Sequence, residues 1–261
     1  MKVNLLLKGL MLTSIISLFA CSSENDPLSG NDETKKGTLS LDMSATINYR
    51  TKAINESDYA NADNYTVDIL NSDNVVTESY LYKEMPLTIP LGTGSYTIKA
   101  YKGKDEPASI TGMYVEGSNS FEIESGKTTS TSVVCKPVCA KIIMEYDNTM
   151  GDYFSNYGAI FETKAIGVGK NFSLANKVTT PVYLRVDANE KIKVQISMTK
   201  KSDETTAVID KEFTVSPQTA LTLSVKPAIV QGNLGISITI DESTNDKDVI
   251  VEIPADWATA K

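Results

Sequence analysis

Hydrophobic and polar residues alternate with a period of two over most of this chain, which is the signature of strands with one buried face. From Thr38 to Tyr49 the apolar set Leu39, Leu41, Met43, Ala45, Ile47 and Tyr49 interleaves without error with Ser40, Asp42, Ser44, Thr46 and Asn48. The alternation returns in Tyr65/Val67/Ile69, Tyr96/Ile98/Ala100, Phe121/Ile123 and Ile142/Met144/Tyr146. It returns again in Ile192/Val194/Ile196/Met198, Leu221/Leu223/Val225, Leu234/Ile236/Ile238/Ile240 and Val249/Val251/Ile253. Strands at this spacing, with turn residues between them and no long amphipathic helix, predict an all-β fold of antiparallel β-sandwiches.

Turn chemistry places the hairpins. Asn71-Ser72-Asp73-Asn74, Gly92-Thr93-Gly94 and Ser125-Gly126-Lys127 each separate two apolar runs, and each is expected to join neighbouring antiparallel strands. One helical turn is expected around Met150 to Tyr157, where Tyr153, Phe154 and Tyr157 gather; such a cluster plugs the open end of a sandwich or offers a platform to a ligand.

The first residues break the pattern. Lys2 and Lys8 precede an apolar run that closes on Leu18-Phe19-Ala20-Cys21, followed at once by Ser22, Ser23, Glu24, Asn25 and Asp26. The run is short for a membrane span and reads as a cleaved signal peptide over residues 1–20 with a lipobox, making Cys21 the lipidated first residue of the mature chain. Two or more acyl chains, palmitate among them, give stable anchoring where one gives only reversible binding. Residues 21–37 contain Pro27, Gly30 and clustered charges without periodicity and read as a flexible tether.

A domain boundary is expected at Lys136-Pro137, because proline cannot donate into a central ladder and strand pairing should change partner there. That divides the chain into an N-terminal sandwich at 38–136 and a C-terminal one at 137–261, joined by a very short linker as a semi-rigid rod. Cys135 and Cys139 straddle the junction. Four residues of extended chain span roughly 13 Å, so a disulfide requires Pro137 to fold the chain back; the alternative is two small buried apolar residues.

Charge and composition exclude several functions. The net charge is −8, and loss of a leader carrying Lys2 and Lys8 but no acid takes −8 to −10, which argues against a nucleic-acid partner. The chain has no histidine, so the commonest general base and metal ligand and every Ser-His-Asp arrangement are missing. Gly126-Lys127-Thr128 imitates the tail of a phosphate loop, but Phe121 stands where that loop needs glycine. Asp42, Asp68 and Glu122 fall on the solvent side of their strands. The acidic run Asp241 to Asp248 lacks the alternation and glycine of a calcium loop, so no metal and no cofactor are predicted. Trp257 either stacks on carbohydrate or pins the chain end to the core.

The lipobox, the strand ending Tyr49-Arg50-Thr51-Lys52-Ala53, Asp63 to Ile69, the Pro90 to Ala100 segment and the closing Ile253-Pro254-Ala255-Asp256-Trp257 together resemble a Bacteroidetes lipoprotein family. That family is described mostly as a domain of unknown function and as candidate cell-adhesion proteins. It is similar to the fimbrillins, the subunits and anchors of type V pili. The resemblance covers nearly all the mature chain. It implies two tandem transthyretin-like, Greek-key sandwiches and no catalytic residues. It also implies a lipid-anchored place on the outer face of the outer membrane, with Glu24 and Asp26 matching the export signal.

In fimbrillins an arginine-directed protease cuts after the first strand, and the vacated groove takes a strand from the next subunit. Arg50 stands at the matching place and is one of two arginines, with Arg185. Lys52 stands where the family's Thr-Arg-Ala pattern has arginine, so an uncleaved anchor is an equal outcome. Two non-enzymatic readings follow. One is a structural or adhesive surface lipoprotein (pilus subunit, tip or base) that contacts other fimbrial subunits. The other is a non-polymerising module for glycan or host protein, with Tyr153, Tyr157 and Trp257 as candidate binding aromatics. An enzyme is the least favoured reading.

Overall fold

In the computed structural model, residues 35–49, 57–175, 177–242 and 247–257 are described. The signal peptide, Cys21 and Arg50 lie outside them. The first half of the chain forms β1 (Lys36–Ala45), β2 (Thr66–Asn71), β3 (Val76–Leu81), β4 (Ile89–Gly92), β5 (Gly94–Lys102), β6 (Ala108–Ser109), β7 (Val115–Ile123) and β8 (Thr128–Pro137). The second forms β9 (Cys139–Tyr146), β10 (Phe154–Glu162), β11 (Phe172–Leu174), β12 (Val182–Arg185), β13 (Glu190–Lys200), β14 (Thr206–Val215), β15 (Ala220–Val230), β16 (Asn233–Glu242) and β17 (Lys247–Glu252). The only α-helical segments among the described residues are single turns, α1 (Ser57–Ala60) and α2 (Met150–Tyr153).

The fold is all-β because the alternating residues bury one pleat face. Ile192, Val194, Ile196 and Met198 of β13 are all buried, each contributing about 2 kcal/mol from area removed from water. The Asn71 carboxamide accepts the backbone N–H groups of Asp73 and Val75 at 3.0 and 2.9 Å, and Asn74 takes φ +59°, which together reverse the chain between β2 and β3. Strand β1 starts at Lys36, paired with Gly92, so the first fold residues include the last two of the expected tether.

Three sheets result: seven strands in the order β3-β2-β5-β7-β8-β1-β4, four in the order β11-β10-β13-β14, and six in the order β17-β16-β15-β9-β12-β6. The sheets are not purely antiparallel. Strand β1 runs parallel to β8 from Thr38↔Thr128 to Ala45↔Cys135, and β9 runs parallel to β15. The partners lie 90 residues apart in the first pair and 79 in the second, so no turn between them announces the pairing. Gly92-Thr93-Gly94 also departs from expectation. It is a corner rather than a hairpin, because β4 pairs with β1 and β5 pairs with β2 and β7.

Two buried clusters form. One holds Leu39, Val67, Ile69, Ile98, Ile123 and Val133; the other holds Ile142, Met144, Phe154, Phe161, Val194, Leu223 and Ile238. Strand β8 ends at Pro137 with β7 and β1 as partners, whereas β9 begins at Cys139 with β12 and β15, so pairing changes across Val138.

The halves share more than this link. Strand β6 adds to the sheet of the second half through Tyr183↔Ser109 and Leu184↔Ala108. Arg185 ion-pairs with Asp105 and, at 3.7 Å, with Glu116, and its guanidinium lies 5.9 Å from the centre of the Tyr114 ring. Cys139, Tyr183 and Ala220 belong to the first cluster although their strands lie in the second half. The sequence predicts a very short linker and a semi-rigid rod; side chains from both halves also lace the joint. A long loop from β5 to β7 reaches across it, a contact between residues some 75 apart that periodicity does not encode.

Candidate functional site

Strand β1 closes the first core from the inside of its sheet, flanked by β8 on one side and β4 on the other. Its inward residues Leu39 and Met43 are buried, while Ser40, Asp42 and Ser44 point away from the core. Pairing with β4 stops at Leu39↔Ile89, and further along that edge the Tyr82 hydroxyl accepts the Met43 N–H at 3.1 Å. The alternation predicts strand through Tyr49, but β1 ends at Ala45 and the Thr46 N–H makes one last bond to Cys135 O at 2.9 Å.

Beyond that point the chain leaves its sheet, and Tyr49 is 8% exposed. Its hydroxyl donates to Cys139 O at 2.5 Å and lies 3.3 Å from Cys139 Sγ. Its ring meets Tyr183 edge-on at 6.2 Å between centroids, with Lys141 Nζ 5.7 Å from the ring centre. The role of Tyr49 escaped the sequence reading, although the persistence of alternation past the last paired residue is its trace.

Cys135 and Cys139 are buried, free thiols, as in the second of the two alternatives. Burial pushes the Cys135 thiol up to about 12, with the Glu116 carboxylate adding to the effect. Burial also raises Cys139, and the Tyr49 hydroxyl offsets part of that rise. An acid raised on folding stabilises the fold fully below its unfolded value, near 9.0, and loses that contribution as pH climbs toward about 12. Buried Tyr65 and Tyr146 are raised by desolvation and act in the same direction. The wild-type urea midpoint is therefore expected to fall across this window, and Cys135→Ala should show a shallower fall. Equal slopes would remove Cys135 from the account.

The aromatic residues are placed differently from one another. Tyr157 is buried with its ring 4.9 Å from that of Tyr146, and Trp257 is 6% exposed, stacked on Phe154 at 6.0 Å with Lys200 Nζ 4.8 Å from its centre. Tyr153, at the end of α2, is 39% exposed and is the one of the three whose ring faces solvent. Arg185 belongs to the joint described above.

The remaining sequence motifs fall on strand ends and outer faces. Gly126 turns at φ +71° between β7 and β8, and Lys127 pairs with Glu124 at 2.5 Å. Asp68 accepts the Ser79 hydroxyl at 2.6 Å across the β2–β3 pair. Residues 243–246 of the acidic run lie outside the described residues. Among the described residues no group of three His, Cys, Asp or Glu could hold a metal, and no helix is long and apolar enough to cross a membrane. The outer edges β3 and β14 carry exposed Val76 and Val208. On β17, exposed Val251 is followed by Glu252, which pairs with Lys211 of β14.

The chain is thus all-β, with a first strand that buries Leu39 and Met43 and with side-chain contacts across its joint. The family model described as domain of unknown function DUF4493 matches residues 35–255, and the chain belongs to that family. Among solved structures it is similar to the fimbrial anchor protein Mfa2 from Porphyromonas gingivalis, with 9% identity over 81% of this chain and 98% of that one and a TM-score of 0.46. It is also similar to a candidate polysaccharide binding protein (DUF1812) from Bacteroides thetaiotaomicron, with 9% identity, 86% and 100% coverage and a TM-score of 0.45. A candidate cell adhesion protein from Bacteroides eggerthii shows 11% identity, 79% and 95% coverage and a TM-score of 0.42. No curated protein sequence matches the chain.

Proposed function

We propose that this protein is a lipid-anchored surface protein of fimbrillin type, non-enzymatic, which acts as a structural or adhesive component by contact with other subunits. Lipidation at Cys21 and export to the outer face of the outer membrane are part of this reading, and they rest on the lipobox and its acidic neighbours. The observation that carries the role is the position of β1. It pairs with β8 from Thr38 to Ala45 and with β4 over Lys36–Leu39, buries Leu39 and Met43, and ends five residues before the arginine that the resemblance matches to the processing site.

Loss of such a strand bares an apolar channel and two unpaired backbone edges, which accept an added strand. The test is to treat the folded mature chain with an arginine-specific protease. A new N-terminus at Thr51, loss of the 21–50 fragment and a ladder of multimers are expected. A chain that is cut and stays monomeric, or that resists cutting at Arg50, would overturn the polymerising form and leave the anchored, uncleaved form. Failure of radiolabelled palmitate to appear on Cys21 would overturn the lipid anchor.

A further inference from the structure

We propose that Tyr49 is a strap that locks the joint between the two halves of the fold, so that the seating of β1 controls how tightly the second half is held. Residues 46–49 leave the sheet of the first half and place one side chain against three residues of the other. These are Cys139 at the start of β9, Lys141 two residues on, and Tyr183 on β12, the strand paired beside β9. The contact is buried and uses every part of the tyrosine: the hydroxyl donates to a backbone carbonyl, the ring edge packs on Tyr183, and the ring face receives the lysine charge.

Its position is strategic for a mechanical reason. Cys139 is the first residue after Val138, where strand partners change, and its carbonyl also accepts the Gln218 N–H at 2.9 Å. One oxygen thus joins the end of the β1 segment, the start of β9 and the turn that opens β15. Arg185 with Asp105 and Glu116 ties the same joint through half-exposed ion pairs, which solvent screens. The buried tyrosine contact is the element of the joint that depends on β1 being in place.

On the processing reading above, the strap lies on the β1 side of Arg50. A chain nicked after Arg50 then keeps Tyr49 engaged, and the joint loosens only when β1 is withdrawn. The test below needs no cut, so failure of that reading leaves it standing.

Cys139 reports the state of the strap, because a thiol reagent reaches it only when the joint opens, and Cys135 is an internal control. Cys135 is buried on β8, on the other side of the partner change at Val138, with its Sγ 3.6 Å from Ala100 O. The full chain is treated with a maleimide, and labelling at each cysteine is followed by peptide mass spectrometry. In Tyr49→Ala, Cys139 should label about 10-fold faster than in the wild type while Cys135 is unchanged, as expected for local rather than global opening. The Gln218 amide should exchange faster in the same variant.

Tyr49→Phe removes only the hydroxyl and should move both readouts in the same direction by a smaller factor. If the alanine variant does not fold, the phenylalanine variant decides by the same two measurements. Unchanged Cys139 labelling, or equal acceleration at both cysteines, overturns the strap.

Discussion

Trp257→Ala should lower the free energy of unfolding by about 3–5 kcal/mol, the range for removing a large aromatic from a packed interior. The indole is 6% exposed although it lies in a single 3-10 turn, and it packs in the second core with Phe154 and the Lys200 ammonium among its contacts. The loss combines buried area, the stacking contact and the cavity left over β10. Urea unfolding followed by circular dichroism measures it as a lowered midpoint at unchanged slope. Tyr153→Ala is the matched control. Its ring is exposed, so a change within about 0.5 kcal/mol is expected. A Trp257→Ala midpoint equal to that of Tyr153→Ala would show that the tryptophan does not pin the chain end.

The second large effect lies in β1. Leu39 is fully buried in the first cluster, and Leu39→Ala should cost about 2–5 kcal/mol, whereas half-buried Leu41 should cost less than half as much when shortened to alanine. Removing the strand altogether forfeits the Leu39 and Met43 burial, the eight-residue parallel register with β8 and the Tyr49 contacts. A chain starting at Thr51 should therefore be an incomplete fold that recovers its unfolding transition when a synthetic peptide of residues 36–49 is added. The same peptide with Leu39 and Met43 changed to aspartate should give no recovery. Full stability of the shortened chain without peptide would mean that β1 is an accessory strand and not the closing element of the core.

Strand positions were legible because each is a local property. The run of β13 declares its buried face residue by residue, and every apolar position in Ile192/Val194/Ile196/Met198 is buried. The Asn71–Asn74 hairpin was legible for the same reason, since a short loop leaves its two strands little choice of partner. The corner at Gly92-Thr93-Gly94 was misread because glycine marks a reversal of the chain without saying whether the reversed strand returns to its neighbour or crosses to another edge. Tyr49 looked like one more core position of an alternating strand. Its true partners at Cys139, Lys141 and Tyr183 lie some 90 or more residues away.

From sequence alone, then, come the all-β class, the positions of most strands and the lack of any histidine. All of these depend on residue identity and neighbours within about ten positions. The tertiary structure decided that β1 pairs parallel to β8 and antiparallel to β4, that Trp257 is buried while Tyr153 is not, and that Tyr49 and Arg185 fasten the joint. Those outcomes are set by which distant surfaces exclude water together, and the pleat of one strand carries no record of the partner it will meet.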